Sequence, residues 1–389
     1  MSVGAPNSSF NSSANAVQLI SAQRGRKVYK VRGQSFDIED TYTVTSVVGH
    51  GAYGVVCAAL DDRTFQEVAI KRVSRVFEDL IDGRRIWREI LILRLLRENG
   101  CRNMLRLLRV LPPKDPITEF RDLYMVTDLF DTDLFAIIRQ NKNMSTDMLR
   151  RVGARVLQCL ADMHTMGIVH RDIKPSNILL RDEKDAENAT VCDFGLARAG
   201  LLDLTEPLDL TDYVVTRWYR PPELLLMCSY SFPIDMWAVG CVMAEYVTQR
   251  PIFAGRDYIH QLQLVLASVN ITGTSFMEST SASAINHMND VARKYKGTRP
   301  LSNLLAALPK EGFDLVNRML AFEPDNRITA LEALQHPFFE PLALEEPART
   351  LSPPAVELSF DMHAEISEYQ LRRAIWDEVE HYKKQPNKK

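Results

Sequence analysis

Three stretches between residues 168 and 226 contain most of the information about this chain. Residues 168–180 read IVHRDIKPSNILL, residues 191–198 read VCDFGLAR, and residues 216–226 read TRWYRPPELLL. They place a carboxylate at Asp172, an amide at Asn177 and a second carboxylate at Asp193. Phosphoryl transfer needs one carboxylate to orient the attacking hydroxyl, and an Asn and a second Asp to hold magnesium against the phosphates.

The order and spacing of these residues match the signature set of the protein kinases. The resemblance implies that Asp172 orients the hydroxyl, that Lys174 neutralises charge on the transferred phosphate, and that Asn177 and Asp193 bind Mg²⁺. The triplets HRD and DFG could also occur in ordinary turns, but both triplets in this order with Asn177 between them are not expected there.

Composition agrees with a folded, two-lobed protein. The chain has 389 residues, too long for one small core, and its formal net charge of −3 gives no reason to expect a nucleic-acid partner. No apolar run approaches the roughly 20 residues of a membrane helix, so no membrane partner is expected either. The six scattered cysteines, without a CxxC pair, predict reduced thiols in an intracellular compartment.

The N-terminus differs in composition from the rest. Residues 1–36 are rich in Ser, Asn and Ala and then become basic, which predicts a disordered extension. The basic stretch 24–30 leaves open a nuclear-targeting or docking role beside that of a solvated tail. Folded structure is expected to begin near residue 36, with a small lobe over 37–128 and a large lobe over 129–345.

A glycine cluster follows the first β-branched run. Gly49, Gly51 and Gly54 form a GxGxxG pattern that dinucleotide-binding folds share, but those folds need a helix directly after the glycines. Residues 55–57 predict a strand instead. A strand–loop–strand hairpin lets a glycine backbone approach nucleotide phosphates without interference from Cβ atoms.

Lys71 lies in the next predicted strand, at the end of VAIK, and is the candidate cation for the α- and β-phosphates. A helix predicted from about Asp82, which can cap it, to Leu96 places Glu89 on its apolar side. Glu89 is therefore the predicted partner of Lys71, with a solvated charged face as the alternative.

Residues 123–126 predict another strand, and residues 127–130 the hinge whose backbone amides meet the adenine. Thr127 takes the gatekeeper position, and the Asp133 carboxylate could accept the ribose hydroxyls. The resemblance implies this set of nucleotide-binding residues: Val48, Gly49, Gly51, Gly54, Val56, Ala69, Lys71, Thr127, Asp128, Phe130, Asp133 and Leu179.

A long helix precedes the catalytic stretch. Val152, Val156, Leu157 and Leu160 recur at core spacing, and Gly167 predicts its C-terminal end.

The span from about 40 to 382 resembles the mitogen-activated protein kinases. Thr211-Asp212-Tyr213, before VVTRWYRPPE, resembles the family's Thr-x-Tyr switch. Asp235 matches the kinase helix anchor, and Arg327 the arginine that pairs with Glu223.

The tail over 346–389 resembles the family's C-terminal extension, whose helix packs back on the kinase domain. Its helix is also predicted by a capping box at Ser367 and Gln370 and by an apolar stripe of Leu371, Ile375, Val379 and Tyr382. Other positions depart from the family pattern. Pro221 replaces the usual Ala, residues 270–308 read as a diverged form of the family's insert, and the acidic docking patch is shortened to Glu345-Glu346.

The resemblance implies an α+β, bilobal eukaryotic protein-kinase fold with a small β-rich lobe and a large helical lobe. It implies ATP-dependent, Mg²⁺-dependent transfer to Ser or Thr, because Lys174 resembles that class, and TRWYR with Arg220 resembles proline-directed enzymes. The expected partners are protein substrates with Ser-Pro or Thr-Pro sites, an upstream dual-specificity kinase and phosphatases. The expected location is the cytoplasm, with the nucleus as a second compartment.

The switch implied by the resemblance has two parts. A phosphate on Thr211 would be bound by arginines from separate segments, namely Arg85, Arg88, Arg171 and Arg198. A phosphate on Tyr213 would instead meet Arg217 and Arg220.

Two alternatives stay open. A cyclin-dependent kinase would share HRD, DFG and TRWYRPPE but lack the Thr-x-Tyr pair and the C-terminal helix. A non-catalytic scaffold with a kinase fold would normally have lost one of the four polar residues Lys71, Asp172, Asn177 and Asp193.

Overall fold

A computed structural model describes residues 17–23, 25–51, 54–140, 145–182, 186–199, 217–271, 273–277, 282–344 and 366–384. Its strands are β1 Val17–Gln23, β2 Arg26–Val31, β3 Gln34–Glu39, β4 Tyr42–Gly51, β5 Gly54–Asp61, β6 Gln66–Val73, β7 Leu107–Leu111, β8 Leu123–Asp128, β9 Thr132–Asp133, β10 Ile168–Val169, β11 Ile178–Leu180, β12 Thr190–Val191 and β13 Arg198–Ala199. Its helices are α1 Leu80–Glu98, α2 Leu134–Gln140, α3 Thr146–Thr165, α4 Pro222–Leu225, α5 Pro233–Thr248, α6 Tyr258–Ser268, α7 Ala282–Tyr295, α8 Leu301–Leu304, α9 Lys310–Met319, α10 Ala330–Leu334 and α11 Glu368–Lys384.

The chain divides into two compact units. The described residues of the first fall within Met1–Leu91, Arg106–Leu129 and Ala364–Lys389, and those of the second within Ile92–Leu105 and Phe130–His363. The first is built on β-sheet and the second mainly on helices. Within the described residues, no helix combines the length and the apolar character that crossing a membrane requires.

A five-stranded antiparallel sheet in the order β4-β5-β6-β8-β7 forms the centre of the first unit. Gly51 at the end of β4 pairs with Gly54 at the start of β5. Strands therefore flank the glycines on both sides, which confirms the hairpin and excludes the strand–helix arrangement of a dinucleotide site.

A second antiparallel sheet, β1-β2-β3, lies mostly in the segment 1–36 that composition predicted to be disordered, and β3 extends beyond it to Glu39. The Phe36 ring is buried and meets Tyr124 edge-on, with the ring centroids 5.0 Å apart. Tyr29, Val31 and Ile38 are buried in the same core as the five-stranded sheet. The prediction of disorder over residues 1–36 is therefore wrong for residues 17–23 and 25–36, and the folded region begins before residue 36.

The basic stretch was misleading because its charges are neutralised by residues distant in sequence. Arg26 Nε donates to Asp37 Oδ1 at 2.8 Å, and Lys27 Nζ donates to Asp62 Oδ2 at 2.9 Å. Composition cannot reveal such pairs, and the short strands between them alternate apolar and polar residues over only a few positions.

Helix α1 begins two residues before the predicted start. Asp79 Oδ1 accepts a hydrogen bond from the Ile81 backbone N–H at 2.7 Å and so occupies the capping position. The prediction that Asp82 caps the helix is wrong, because Asp82 lies within the first turn and pairs with Arg85 at 3.4 Å.

Helices α3 and α5 run through the second unit. Ser145 caps α3, whose core-spaced residues Val152, Val156, Leu157 and Leu160 are all buried, as predicted. Gly167 follows with φ of 73°, a left-handed conformation that favours glycine and ends the helix. The guanidinium of Arg327 donates to both carboxylate oxygens of Glu223 at 2.5 and 2.8 Å, which is the pair that the resemblance implied.

The described part of residues 270–308 contains α7 and α8. The segment before α7 is held at Ser275 by the buried Glu323 carboxylate. This carboxylate accepts hydrogen bonds from the Ser275 backbone N–H at 3.0 Å and from the Ser275 hydroxyl at 2.6 Å.

Helix α11 packs on the first unit. Ser367 and Gln370 form the predicted capping box, and the side chains of the predicted stripe are buried. The Arg372 guanidinium lies 4.0 Å from the centre of the Phe77 ring and donates to the Phe120 carbonyl at 2.5 Å. This helix therefore contributes to the core of the small, sheet-based unit.

The N-terminal sheet gives a direct stability test. Phe36→Ala removes a ring that is 1% exposed and should lower the free energy of unfolding by about 3–5 kcal/mol. Phe65→Ala, at a ring that is 80% exposed, should change it by no more than about 0.5 kcal/mol. Urea unfolding followed by tryptophan fluorescence measures both. Equal and small losses would show that the N-terminal strands do not pack on the sheet.

Candidate active site

Two short β-pairs hold the key segments of the second unit together. β10 pairs with β13, and β11 pairs with β12, all antiparallel. These pairs connect the ends of the loop 170–177, which contains Asp172 and Asn177, to those of the loop 192–197, which contains Asp193. The two polar segments recognised in the sequence are thus fixed beside each other.

Asp235, in the first turn of α5, holds the backbone of the first loop. Its Oδ2 lies 2.9 Å from His164 Nε2 and accepts a hydrogen bond from the His170 N–H at 2.9 Å. Its Oδ1 accepts one from the Arg171 N–H at 2.9 Å. Arg171 has φ of 70°, a conformation that a residue with a side chain adopts only when its surroundings hold it there.

The charge of Asp235 is retained despite its burial. Burial on its own would raise the pKa of this carboxyl, but the hydrogen bond and the charge of His164, together with His170, hold the pKa below its ordinary value. The loop is therefore attached to α5 through a buried carboxylate.

Asp172 is surrounded by polar groups from its own loop. Lys174 Nζ donates to Asp172 Oδ2 at 2.7 Å, and Asn177 Nδ2 donates to the same oxygen at 3.0 Å and to the Asp172 carbonyl at 2.9 Å. Burial raises the pKa of the Asp172 carboxyl, and the Lys174 ammonium offsets only part of this. A buried carboxylate of this kind is a stronger base than an exposed one.

Asn177 and Asp193 provide oxygen ligands suited to a hard divalent cation. The Asn177 side-chain nitrogen is bound to Asp172, which leaves its amide oxygen for a cation. The Asp193 carboxylate is exposed, at a residue with φ of 65°, while the neighbouring Phe194 is buried. A carboxylate and an amide oxygen fit Mg²⁺, which prefers oxygen and keeps several of its waters.

His170 connects these two loops. Its Nε2 lies 3.1 Å from the Cys192 carbonyl oxygen, and its ring meets the Phe194 ring at 5.1 Å. The Cys192 N–H donates to the Asn177 carbonyl at 3.0 Å. The position of Asp193 is therefore coupled to that of Asn177.

Lys71 and Glu89 meet in the first unit, as the sequence predicts. Lys71 Nζ lies 2.9 and 3.0 Å from the two carboxylate oxygens of Glu89, and Glu89 is buried. The alternative of a solvated charged face is thereby excluded for Glu89. The pair therefore fixes the direction in which the Lys71 side chain extends from β6.

The glycine hairpin leaves space where a ligand could approach. A Cβ on Gly49 would meet no atom within 4 Å, whereas one on Gly54 would lie 1.8 Å from the Arg72 carbonyl oxygen. Gly54 also has φ of 145°, so only glycine fits there. Val48 is exposed, and Val56 lies opposite Lys71 in the sheet.

The predicted hinge starts beside β6, where Ala69 pairs with Thr127. Thr127 is buried, as a gatekeeper at the back of a pocket would be. The Asp128 carboxylate is bound on both oxygens by Arg106, at 2.7 and 2.6 Å, so this residue has only its backbone to offer a nucleotide.

In the second unit, the Asp133 carboxylate accepts a hydrogen bond from the Ala136 N–H at 2.7 Å and so caps α2, and burial raises its pKa. Leu179 pairs with Asp133, and the Phe130 ring lies under the Arg181 guanidinium.

The arginines that the resemblance assigned to phosphate binding belong to both units. Arg85 and Arg88 are buried in the first unit. Arg171 donates to the Leu196 carbonyl in the second unit at 3.4 Å, and Arg198 lies opposite Val169 in β13.

Arg217 and Arg220 both lie over the Tyr258 ring, at 5.7 and 5.6 Å, and Arg220 also hydrogen bonds to the Tyr258 hydroxyl. Thr211, Tyr213, Glu345 and Glu346 lie outside the described residues.

Sequence reasoning missed one buried polar contact near this site. The Tyr219 hydroxyl donates to Glu245 Oε2 at 2.7 Å, and Glu245 is buried. The two residues are 26 positions apart, and no spacing rule connects them. The only sequence signal was the acidic Glu245, one of two carboxylates in the mostly apolar helix α5.

Comparisons with known proteins agree with this geometry. Residues 42–339 match the family described as the protein kinase domain. The mitogen-activated protein kinase homolog MMK2 of Medicago sativa is 37% identical over 393 residues, covering 97% of this chain and 99% of that protein. Mitogen-activated protein kinase 7 of Arabidopsis thaliana is 37% identical, covering 92% and 94%. Extracellular signal-regulated kinase 1 of Dictyostelium discoideum is 38% identical, covering 81% of this chain and 58% of that protein.

Asp235 can be tested by substitution. In Asp235→Asn the side-chain amide presents an NH₂ group to one of the two backbone N–H donors, so we expect a loss of about 3–5 kcal/mol in the free energy of unfolding. Because the pKa of Asp235 is lower in the folded chain, its contribution is complete above about pH 4 and is lost as the pH falls further. Urea unfolding at pH 7 and at several values below pH 4 measures both effects.

Asp314→Asn is the matched control. Asp314 Oδ2 also lies 3.0 Å from a histidine, His336, but its side chain is 46% exposed. Its substitution should cost no more than about 1 kcal/mol. If the two variants lost stability equally, burial of the Asp235 carboxylate would not be the decisive feature.

Proposed function

The chain belongs to the protein kinases and, within them, to the mitogen-activated protein kinases, and from this premise we propose that it is a Mg²⁺-dependent, proline-directed enzyme switched by dual phosphorylation. As a serine/threonine protein kinase, it uses ATP to phosphorylate proteins. The observation that carries the proposal is the cluster of Asp172, Lys174 and Asn177, held by Asp235.

Asp172 is assigned to the substrate hydroxyl. Lys174 and Asn177 both bind its Oδ2, so Oδ1 is the oxygen that we assign to the incoming hydroxyl. The raised pKa makes the carboxylate a better acceptor of the hydroxyl proton as the oxygen attacks phosphorus. Lys174, beside it, supplies positive charge toward the transferred phosphoryl group.

The remaining polar residues are assigned to ATP and its cation. Magnesium ATP supplies the phosphoryl group and a cation that neutralises the charge developing on it. Lys71, directed by Glu89, binds the α- and β-phosphates, and Asn177 and Asp193 provide the cation ligands. The glycine hairpin covers the phosphates through backbone N–H groups, and the hinge binds adenine through its backbone.

Substrate choice and partners are proposed from the family's TRWYR motif. Arg220, which hydrogen bonds to the Tyr258 hydroxyl, is assigned to the pocket for the residue after the phosphoacceptor. We therefore assign Ser-Pro and Thr-Pro sites as substrates. An upstream dual-specificity kinase and opposing phosphatases would act on the chain itself, in the cytoplasm and the nucleus.

The switch is assigned to Thr211 and Tyr213. A phosphate adds about 1.5 to 2 negative charges and three acceptor oxygens, which arginine binds with paired hydrogen bonds. A phosphate on Thr211 would be bound by Arg85, Arg88, Arg171 and Arg198. This binding would favour the position of α1 in which Glu89 pairs with Lys71. A phosphate on Tyr213 would be bound by Arg217 and Arg220, and it would compete with the contacts that these two arginines make with Tyr258.

Two carboxylate substitutions separate the assigned roles. Asp172→Asn should keep magnesium-ATP affinity within about threefold of the wild type and lower kcat at least about a hundredfold, because its role arises in the transfer step. Asp193→Asn should also weaken magnesium-ATP binding. Calorimetric titration with a non-hydrolysable ATP analogue, combined with a peptide kinase assay, measures both. Equal losses of nucleotide affinity would contradict the division of roles.

The switch predicts the behaviour of three further variants. Each of Thr211→Ala and Tyr213→Phe should leave no more than about a tenth of the activated turnover, since one hydrogen bond to a charged group is worth about 1.5–3 kcal/mol. Arg88→Ala should reduce the gain from Thr211 phosphorylation more than that from Tyr213. Turnover is measured before and after co-expression with a dual-specificity activator.

Tyr369→Phe, at an exposed tyrosine of α11, is the control and should activate normally. Full activation of a Thr211→Ala, Tyr213→Phe double variant would show that these residues are not the switch.

A further inference from the structure

Residues 291–310 form a basic segment to which the proposed function assigns no role. The segment contains five Lys or Arg residues and no Asp or Glu. Arg293 and Lys294 lie in the last turn of α7, where the helix dipole favours cations. Arg299 lies beyond the end of that helix, so the dipole of α7 does not account for it.

Arg299 is held through both its backbone and its side chain. Its backbone N–H donates to the Ala267 carbonyl of α6 at 3.0 Å, and its Nη1 donates to the Ile252 carbonyl at 2.5 Å. Because the guanidinium is planar and rigid, the bond of Nη1 also limits the directions open to the edge formed by Nε and Nη2.

Four other arginines show what this edge of a guanidinium binds. Each donates from both Nε and Nη2 to a single aspartate, at distances of 2.6 to 3.1 Å, and the four are Arg63, Arg72, Arg102 and Arg106. Arg299 has no ion pair among the residues that the structure describes, and its one side-chain hydrogen bond there uses Nη1. Its Nε–Nη2 edge is therefore open to an anion from outside the described chain.

A second guanidinium lies close to the first. Arg250, two residues before Ile252, is exposed and makes no side-chain hydrogen bond or ion pair within the described part of the chain. Burial lowers the pKa of Arg299, and the positive charge of Arg250 lowers it further. Two like charges thus repel each other without a carboxylate from the described residues to offset them, and an anion bound to both would remove that repulsion.

The number of charges indicates a dianion. In the four pairs above, one carboxylate serves one arginine, whereas here two arginines lie together and the exposed Lys296 lies three residues before Arg299. A phosphate group has about 1.5 to 2 negative charges and three acceptor oxygens. It can accept paired hydrogen bonds from the Arg299 edge and still offer an oxygen to Arg250.

The surrounding surface indicates what would carry the phosphate. Among residues 288–305, no large apolar side chain is exposed. A surface that lies on a membrane normally presents such side chains to the boundary between headgroups and acyl chains. An exposed polar surface without them suits a phosphate on a protein segment better than one on a lipid headgroup.

We propose that Arg250 and Arg299 bind the phosphate group of a phosphorylated protein segment. The Nε–Nη2 edge of Arg299, oriented by the bond to Ile252, accepts the phosphate, and Arg250 supplies the second positive charge. The site shares no residue with the cluster assigned to phosphoryl transfer. It therefore goes beyond the proposed function and does not depend on it.

The site is tested by fluorescence anisotropy of labelled peptides with the full-length chain in the absence of ATP. The probe is a phosphothreonine peptide with otherwise uncharged residues, and the same peptide with glutamate at that position should bind at least about tenfold more weakly. Arg299→Gln keeps an N–H that can donate to the Ile252 carbonyl but loses the charge and the paired donors. It should raise the Kd of the phosphopeptide at least about tenfold, as expected for a hydrogen bond to a charged group.

Arg250→Gln is the second variant, because the Arg250 side chain makes no contact on which the fold depends. It should raise the Kd at least about threefold and leave the thermal unfolding midpoint unchanged. Arg293→Gln is the matched control, since Arg293 is exposed on the same basic segment but is paired with Asp290 at 3.2 Å. Its Kd should stay within about twofold of the wild type. An unchanged Kd in Arg250→Gln, or an equal rise in Arg293→Gln, would overturn the site.

Two competitors separate the sources of the phosphate. Inorganic phosphate should displace the labelled peptide at least about tenfold less effectively than the unlabelled phosphopeptide, and vesicles containing phosphatidylserine should not displace it. Equal displacement by inorganic phosphate would show that no protein segment is recognised. Displacement by the vesicles that is lost in Arg299→Gln would assign the two arginines to a membrane surface and overturn the proposal.

Discussion

The loop 170–177 of the second unit is held in place by one buried carboxylate, that of Asp235. It accepts hydrogen bonds from two consecutive backbone N–H groups, at His170 and Arg171, and contacts the ring of His164. Removing a partner from such a site leaves an uncompensated polar group in the core, at a cost of about 3–5 kcal/mol. The left-handed conformation of Arg171 and the direction of Asp172 both follow from these bonds.

The polar residues of the two units follow a common principle. In the first unit Lys71 is oriented by the buried Glu89. In the second unit Asp172 is oriented by the half-buried Lys174 and the buried Asn177. Because such groups are pre-oriented, little reorganisation is required when charge develops during transfer. In the second unit, this is the physical basis for interpreting the cluster of Asp172, Lys174 and Asn177 as a phosphoryl-transfer site.

Sequence reasoning succeeded where the determining interactions are local or periodic. The strands around the glycines, the course of α3 and the capping box of α11 depend on neighbours within a few residues. It failed where the structure depends on contacts between residues that are far apart in the sequence. The N-terminal strands are stabilised by Tyr124 and by pairs such as Arg26 with Asp37, which composition does not show. The hydrogen bond from Arg106 to Asp128 was missed for the same reason, because the two residues are 22 positions apart.

We propose that this chain phosphorylates proteins on Ser or Thr followed by Pro. The most direct test compares two peptides that differ only in the residue after threonine, proline in one and alanine in the other. The chain is first phosphorylated by a dual-specificity activator and then incubated with each peptide and magnesium ATP. Phosphothreonine in the peptide is quantified by mass spectrometry. We predict kcat/KM at least about tenfold higher for the Thr-Pro peptide, a difference of about 1.4 kcal/mol. Equal rates for both peptides would contradict proline direction, and no phosphate on either would contradict the kinase activity itself.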